Sequence, residues 1–254
     1  MTSLETYESI ADAGETKCGM NHYALRDKSI LAGMFIAVGC MMMLLVRSDP
    51  GLSPAISAIL SGLCFSAGLF SVFVCESELF TGDCLMIFGL FEGKYGARRM
   101  ISVLFTVLFY NLVGIVIMAA FFCNSGMQDA LKDGILAVQN AKMAVGLSEL
   151  LDKSVLCNFM VCLAAWINAK SASVTEKVVA AVIPVTVFVA LGFEHSIANA
   201  FFYLLFTESV DLLLLRLFVC ILGNVIGGML FFGAFQASAS MNRTEICDLE
   251  DENG

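Results

Sequence analysis

The chain of 254 residues is far more apolar than an ordinary soluble domain, with 59% hydrophobic residues, 15% charged residues and a mean hydropathy of +0.85. This composition excludes a soluble globular domain and indicates an integral membrane protein. The formal net charge of −9 does not indicate a nucleic-acid or other charged partner, because much of the acidic excess lies near the two ends, where we expect it to be solvated. These acidic stretches are Glu5, Glu8, Asp12 and Glu15, and residues 245–252.

The ten cysteines are scattered singly, without a CxxC pair or a nearby histidine. Most of them lie in apolar runs, where cysteine behaves as a small hydrophobic residue. We therefore predict no metal site and no cofactor. The N-terminus shows no basic region that leads into a short apolar one, so a cleaved signal peptide is not expected.

Six apolar spans are predicted in chain order from their lengths and from the polar residues between them. They cover residues 29–46, 54–91, 100–123, 147–167, 177–206 and 211–235. The second and fifth spans are too long for one simple crossing of about 20 residues, and each contains polar residues near its middle. Both are therefore predicted to be broken helices.

The basic residues of the connections predict the orientation in the membrane. Nine of them lie on one side of the predicted spans and five on the other, which places both termini in the cytoplasm. The nine are Lys17, Arg26, Lys28, Lys94, Arg98, Arg99, Lys170, Lys177 and Arg243; the five are Arg47, Lys132, Lys142, Lys153 and Arg216. The predicted domains are a cytoplasmic N-terminal segment (residues 1–28), a transmembrane domain (29–236) and an acidic cytoplasmic tail (237–254).

Two sets of three spans, each with a broken middle member, are typical of an inverted-topology repeat. The predicted breaks fall at residues 78–83 and 192–199. In such folds the breaks meet near the midplane and direct backbone dipoles at a transported ion. An unwound backbone is tolerated there only where protein or a watery cavity covers it, so both breaks should line a pathway. A glutamate and a histidine in the second break support this prediction, because ionisable residues at membrane depth usually mark a functional path.

Three motifs in the same order resemble the signatures of the formate/nitrite transporter family. They are ELFTG at residues 78–82, CNFMVCLAAW at 157–166 and GFEHSIAN at 192–199. The resemblance extends over roughly residues 29–235. It implies a homopentamer of six-helix protomers with an aquaporin-like fold, in which each protomer has its own pore for a small monovalent anion.

The resemblance also implies a set of pore residues. The central histidine falls on His195, and a pore threonine falls on Thr81. The implied asparagines are Asn158, Asn199 and Asn224, the hydrophobic constrictions are Phe65, Leu69, Leu79 and Phe188, and the lysines that attract anions are Lys17 inside and Lys142 outside. Glu194 is expected to fix the break through hydrogen bonds, and Asp83 is expected to cap the second half-helix.

Physical chemistry explains why a dry anion pore needs such residues. Removing an anion from water costs about 20 kcal/mol in an idealised calculation, and an apolar constriction can also gate by dewetting. A histidine whose unperturbed pKa is about 6.5 can offer a proton or a positive charge. Hydroxyl and amide groups add hydrogen-bond donors, and lysines raise the local anion concentration.

Other interpretations of the same residues remain open. His195 can be a satisfied polar residue that joins two helices, Thr81 can bond to its own helix, and the four constriction residues can be ordinary packing residues. For the whole chain, the leading hypothesis is a channel or proton symporter for formate. The alternatives are nitrite or hydrosulfide as the anion and, in another class, a membrane redox subunit that binds quinone or haem. A single intramembrane histidine cannot supply paired axial ligands, which argues against haem.

Overall fold

In the computed structural model, the backbone is described for residues 2–252 and the side chains for residues 2–235. Every regular element in these residues is helical. The helices are α1 (Ser3–Gly19), α2 (His22–Arg47), α3 (Pro54–Val74), α4 (Phe80–Asp83), α5 (Ile87–Phe91), α6 (Ala97–Asn124), α7 (Met127–Ala130), α8 (Lys132–Met143), α9 (Leu147–Lys170), α10 (Val174–Ala190), α11 (Ser196–Leu205) and α12 (Val210–Glu252), and a 3-10 turn covers Cys84–Met86.

Five helices are long and apolar enough to cross a membrane: α2, α3, α6, α9 and the part of α12 over Val210–Phe235. The second predicted span is α3 followed by a break and then by α4, the 3-10 turn and α5. The fifth is α10, a break at residues 191–195, and the ten-residue helix α11. The predicted all-α membrane fold with two broken spans is therefore confirmed.

Helix packing repeats between the two halves of the chain. In the first half α2 packs against α3 and α6, and in the second half α9 packs against α10 and α12. The halves meet where α3 packs against α10. Equivalent glycines let the last helix of each half approach the first: α6 approaches α2, and α12 approaches α9. A Cβ atom on Gly114 of α6 would lie 2.1 Å from the Ile30 carbonyl oxygen, and one on Gly227 of α12 would lie 2.3 Å from the Val155 carbonyl oxygen.

Two helices outside the predicted spans complete this repeat. α1 precedes α2, and α8 precedes α9. α8 contacts the C-terminal end of α2, where the Gly134 N–H donates to Ser48 Oγ over 3.1 Å. The N-terminal end of α2 follows α1 directly, so α1 and α8 lie at opposite ends of α2; we call these ends the α1 side and the α8 side.

The sequence did not predict α1, although its N-terminus carries a recognisable signal. Glu5 N–H donates to Thr2 Oγ1 over 3.2 Å, and Thr2 N–H donates to Glu5 Oε2 over 2.8 Å, which is a capping box. α2 begins at His22, where Asn21 Oδ1 accepts from the Tyr23 N–H. The predicted boundary between residues 28 and 29 therefore falls inside α2, because a capped polar first turn extends this helix beyond its apolar run.

Candidate functional site: two helix breaks between two cavities

His195 lies at the N-cap of α11, at the end of the second break. Its Nδ1 accepts a hydrogen bond from the Ala198 N–H over 3.2 Å. Gly192 begins the turn with φ of +69°, a left-handed conformation that glycine adopts without strain. The break thus holds the imidazole with only its Nε2 free to meet other groups.

The two breaks contact each other through His195 and Thr81. Nε2 of His195 lies 3.0 Å from Thr81 Oγ1, and both side chains are buried. Because a backbone N–H is always a donor, Nδ1 carries the lone pair, so in the neutral ring the hydrogen sits on Nε2 and is donated to Thr81. The hydroxyl hydrogen of Thr81 is then available for another acceptor, which suits an anion.

Two asparagines fix the breaks in the same way. In the second break, Asn224 Oδ1 accepts from the Ser196 N–H over 2.9 Å, while its Nδ2 donates to the carbonyls of Glu194 (3.0 Å) and Ser154 (2.8 Å). In the first break, Asn111 Oδ1 accepts from the Phe80 N–H over 2.9 Å, and its Nδ2 donates to the Glu78 (2.9 Å) and Ser29 (2.7 Å) carbonyls. Backbone groups that the helices leave unpaired at membrane depth are thereby satisfied.

A lysine faces each break. On the α8 side, Lys142 Nζ lies 2.5 Å from Glu194 Oε2 and 2.7 Å from Asn199 Oδ1. On the α1 side, Lys17 Nζ lies 2.7 Å from Glu78 Oε2 and also pairs with Asp83 Oδ1. Burial alone would lower the pKa of Lys17, but the neighbouring Asp83 and Glu78 carboxylates raise it above its ordinary value. Both lysines were predicted to attract anions, and the structure shows each of them paired with at least one carboxylate.

Arginines position the backbone beside these lysines. Arg216 of α12 is buried and donates to the carbonyls of Val145 (2.8 Å) and Lys142 (2.5 Å), which fixes the end of α8. Arg99 of α6 donates to the carbonyl of Cys18, next to Lys17. The position of each ammonium therefore depends on the last helix of its own half.

Two cavities approach the breaks from opposite sides. The cavity on the α8 side has a volume of about 150 Å³ and is lined by residues that include His195, Glu194, Asn199, Lys142, Phe65 and Phe188. The cavity on the α1 side has a volume of about 470 Å³ and is lined by residues that include Lys17, Glu78, Asp83, Leu69 and Leu79. The Phe65 and Phe188 rings meet edge to face at 6.0 Å, and the Phe188 ring stacks on His195 at 6.1 Å.

The structure separates the predicted site residues into two groups. Those that line a cavity are His195, Asn199, Glu194 and Lys142 on the α8 side and Lys17 on the α1 side, together with the four constriction residues. Thr81, Asn158 and Asn224 are fully buried behind them. Asn158 was expected to donate to the anion, but its Nδ2 donates to the Asn224 carbonyl over 2.6 Å.

The expected capping role of Asp83 is wrong. Leu79 is the N-cap of α4 and makes no side-chain capping bond, whereas Asp83 is the last residue of that helix. Its carboxylate is instead turned to Lys17.

The sequence prediction missed Asn111, Glu78 and Arg216 as site residues, although a signal for the first two was present. Lys17 and Lys28 are eleven positions apart, as are Lys142 and Lys153. The N–H of Glu78 donates to the Lys28 carbonyl (3.4 Å), and the N–H of Glu194 donates to the Lys153 carbonyl (3.3 Å). Aligning the halves on these lysines and glutamates, with a gap of three residues before the last span, pairs Asn111 with Asn224 and Gly114 with Gly227.

Comparison with known proteins identifies the family of this chain. The family model described as "Formate/nitrite transporter" matches residues 4–238. The chain is 34% identical over 174 residues to the formate channel FocB of Escherichia coli (strain K12) and 33% identical over 178 residues to FocA of the same organism. These matches cover 67% and 68% of this chain and 62% of each relative, so the chain spans less than two thirds of their length in these alignments.

Solved structures resemble the whole fold. An "FNT family ion channel" superposes with a TM-score of 0.84 at 26% identity, over 93% of this chain and 99% of that one. A "Pentameric formate channel with formate bound" superposes with a TM-score of 0.77 at 25% identity, over 87% and 98%. The family consists of formate and nitrite channels and transporters, not enzymes. With the family model matching nearly its entire length, the chain belongs to the formate/nitrite transporter family.

Proposed function

We propose that this protein is a channel for a small monovalent anion, with formate as its substrate, in the cytoplasmic membrane. Passage is passive or coupled to protons through His195. The proposed assembly is a homopentamer surrounded by lipid, with no nucleic-acid partner and with both termini in the cytoplasm. Residues 1–28 form a cytoplasmic segment and residues 29–236 the transmembrane domain; the proposed acidic tail, residues 237–254, lies beyond the described side chains.

The observation that carries this proposal is the His195–Thr81 hydrogen bond between two cavities that open toward opposite sides. Apolar side chains flank the pair: Phe65 and Phe188 toward the α8 side, and Leu69 and Leu79 toward the α1 side. Each is at most 3% exposed. An anion that leaves water at such an apolar constriction needs hydrogen-bond donors within it. The Thr81 hydroxyl hydrogen supplies a donor, and the N-terminus of α11 adds the positive end of the helix dipole.

Two kinds of relatives support formate as the substrate. Two relatives are named formate channels, and one similar structure is titled as a formate channel with formate bound. Nitrite and hydrosulfide are the alternatives for the anion, since both are small and monovalent. A redox subunit is the alternative of another class. In the described part of the chain, no three His, Cys, Asp or Glu side chains are placed to hold a metal ion.

Proton coupling requires one further step at His195. In the observed arrangement Nδ1 accepts from Ala198, so the ring can donate a hydrogen bond but has no spare proton to give away. If the ring turns away from the Ala198 N–H, Nδ1 can take a proton from a hydronium ion, which leaves as water. The imidazolium then passes the Nε2 proton to formate, which crosses the constriction as the neutral acid, and the ring is left neutral with its hydrogen on Nδ1. Loss of the Nδ1 proton to water and uptake of a proton at Nε2 restore the observed tautomer.

The deciding experiment measures uptake of formate, nitrite, hydrosulfide, lactate and acetate into proteoliposomes between pH 5 and 8, with protein-free liposomes as the background. We expect formate to be carried fastest and its maximal rate to rise as pH falls. In His195→Asn the maximal rate should no longer change with pH, while the oligomer elutes unchanged from a sizing column. A maximal rate with the parent's pH profile would refute the proton relay, and no protein-dependent formate uptake would refute the substrate.

Phe188→Ala should relax the size selection. The phenyl ring packs against both Phe65 and His195, so its removal opens the constriction on the α8 side. We expect lactate uptake relative to formate to increase about tenfold, the factor that corresponds to roughly 1.4 kcal/mol of barrier. Phe218→Ala is the matched control, because this ring is 64% exposed on α12 and away from both cavities. A lactate-to-formate ratio equal to that of the parent would place the selective step elsewhere.

A further inference from the structure

The two lysine clusters are equivalent by position but not by charge. Residues 78 and 83 of the first break correspond to residues 194 and 199 of the second, with the same spacing and the same lysine contacts. On the α8 side Lys142 meets one carboxylate and one amide, so the cluster is neutral. On the α1 side Asp83 replaces the amide, and one ammonium faces two carboxylates.

The extra carboxylate is almost completely buried. Asp83 is 3% exposed, and its Oδ1 is paired with Lys17. Its second oxygen, Oδ2, is buried and has no hydrogen-bond donor among residues 2–235. A buried carboxylate oxygen without a donor is costly, and a proton on that oxygen removes the cost. Asp83 also lines the cavity on the α1 side, so water in that cavity can deliver the proton.

The charged groups that act directly on Asp83 are Lys17 and Glu78. Lys17 from α1 is shared with Glu78, whose carboxylate also faces Asp83. Three more charged residues line the same cavity: Glu76, Lys28 of α2, which acts on Glu78, and Lys177 of α10, which donates to the Phe73 carbonyl. The other polar side chains around the first break are uncharged in their ordinary forms. They are Cys84, Tyr95, Asn111 of α6 and Cys162 of α9. From α12, Gly228 packs against Cys84 and brings no charge.

We propose that Asp83 is a proton-binding site coupled to anion binding at the α1 side. With Asp83 ionised, the cluster of Lys17, Glu78 and Asp83 has one excess negative charge, which repels an anion from Lys17. With a proton on Oδ2, the cluster is neutral, as its counterpart on the α8 side is, and Lys17 can attract the anion. Binding of the proton therefore raises the affinity for the anion, and binding of the anion raises the affinity for the proton by the same factor. The inference rests on the proposed anion transport and adds a second proton site, separate from His195.

The test separates apparent affinity from maximal rate. Right-side-out and inverted membrane vesicles each expose one side, and protease removal of an N-terminal tag identifies the α1 side. For the parent, we expect the apparent KM for formate from the α1 side to rise with pH by up to about tenfold per unit, as one linked proton requires. In Asp83→Asn, which copies the amide of Asn199, this rise should disappear. In Asn199→Asp a similar rise should appear from the α8 side.

The control variant is Asp12→Asn. Asp12 pairs with Lys94 at the exposed surface of α1, so this change removes a negative charge on the same side without touching the cavity. It should keep the parent's dependence of KM on pH. The His195→Asn protein should keep it too, since the relay acts on the maximal rate. A parent KM that does not change with pH, or an Asp83→Asn protein that retains the parent's slope, would overturn the inference while leaving formate transport intact.

An infrared titration tests the proton site without transport. The pH-difference spectrum of the purified oligomer in its membrane should contain the C=O stretch of a protonated buried carboxyl group. This band should be absent in Asp83→Asn and present in Asp12→Asn. If no variant carries formate but the band behaves in this way, the proposed substrate fails and the proton site stands. A band that survives in Asp83→Asn overturns the assignment of the proton to Asp83.

Discussion

Lys142→Met is expected to lower formate uptake about 100-fold. The change leaves Glu194, which is 3% exposed, as an unpaired carboxylate that lines the cavity on the α8 side. Two like charges roughly 6 Å apart repel each other by about 3 kcal/mol at an effective dielectric constant of about 20, which corresponds to a factor of about 100 in rate. Loss of the buried pair should also destabilise the protomer by about 3–5 kcal/mol. Uptake at saturating and limiting formate, together with thermal melting of the oligomer, measures both effects.

Two further variants isolate the charge effect. Lys142→Met with Glu194→Gln removes both charges, so stability should recover and uptake should rise again toward, but not up to, the parent rate. Lys153→Met removes a lysine that lines the same cavity but pairs with the exposed Glu149. Because exposed ion pairs contribute about 0–1 kcal/mol, we expect uptake within about threefold of the parent. Equal losses of formate uptake in Lys142→Met and Lys153→Met would show that the total positive charge of the cavity, not the Lys142–Glu194 pair, controls uptake.

The helix breaks could be predicted from the sequence because their cause is local. Glu194 and His195 interrupt an apolar run that is too long for one span, and Glu78 and Thr81 do the same in the first half. The predicted spans and the α-helical membrane fold follow from the same apolar pattern. The turn at Gly192 and the position of His195 at the start of α11 also follow from short-range sequence.

The partners of these residues depend on helix packing, which the apolar pattern does not fix. Asn111 is the twelfth residue of the predicted ordinary span 100–123, on a helix whose other face is apolar, and its three bonds form only after α6 packs against α2 and the first break. Lys17 is named as an anion-attracting residue only by the family resemblance, because the apolar pattern does not reveal α1, the helix that carries it into the cavity. The separation between helices is set by close approaches such as that at Gly114, which hydropathy cannot reveal.

Asn224→Ala is expected to destabilise the protomer by about 3–5 kcal/mol. The change removes three hydrogen bonds to buried backbone groups, those of Ser196, Glu194 and Ser154. The Ser196 N–H is left without a partner, which costs about 1–3 kcal/mol, and each of the two lost bonds to the carbonyls adds about 0.5–1.5 kcal/mol. The hydrocarbon around the helices offers no replacement. Because the break also positions His195, formate uptake should fall with stability. Asn111→Ala should show a loss of similar size, since Asn111 makes the equivalent three bonds.

Asn168→Ala is the control that distinguishes the loss of the Asn224 hydrogen bonds from the loss of an amide side chain as such. Asn168 lines the cavity on the α1 side, and its Oδ1 has no hydrogen-bond partner within the described residues, so its loss should change the melting temperature little. Asn224→Asp keeps an acceptor for the Ser196 N–H but loses both donors and buries a charge. It should therefore be no more stable than Asn224→Ala. Melting curves in which Asn224→Ala matches Asn168→Ala would mean that packing around α11, rather than the asparagine, holds the second break and its histidine in place.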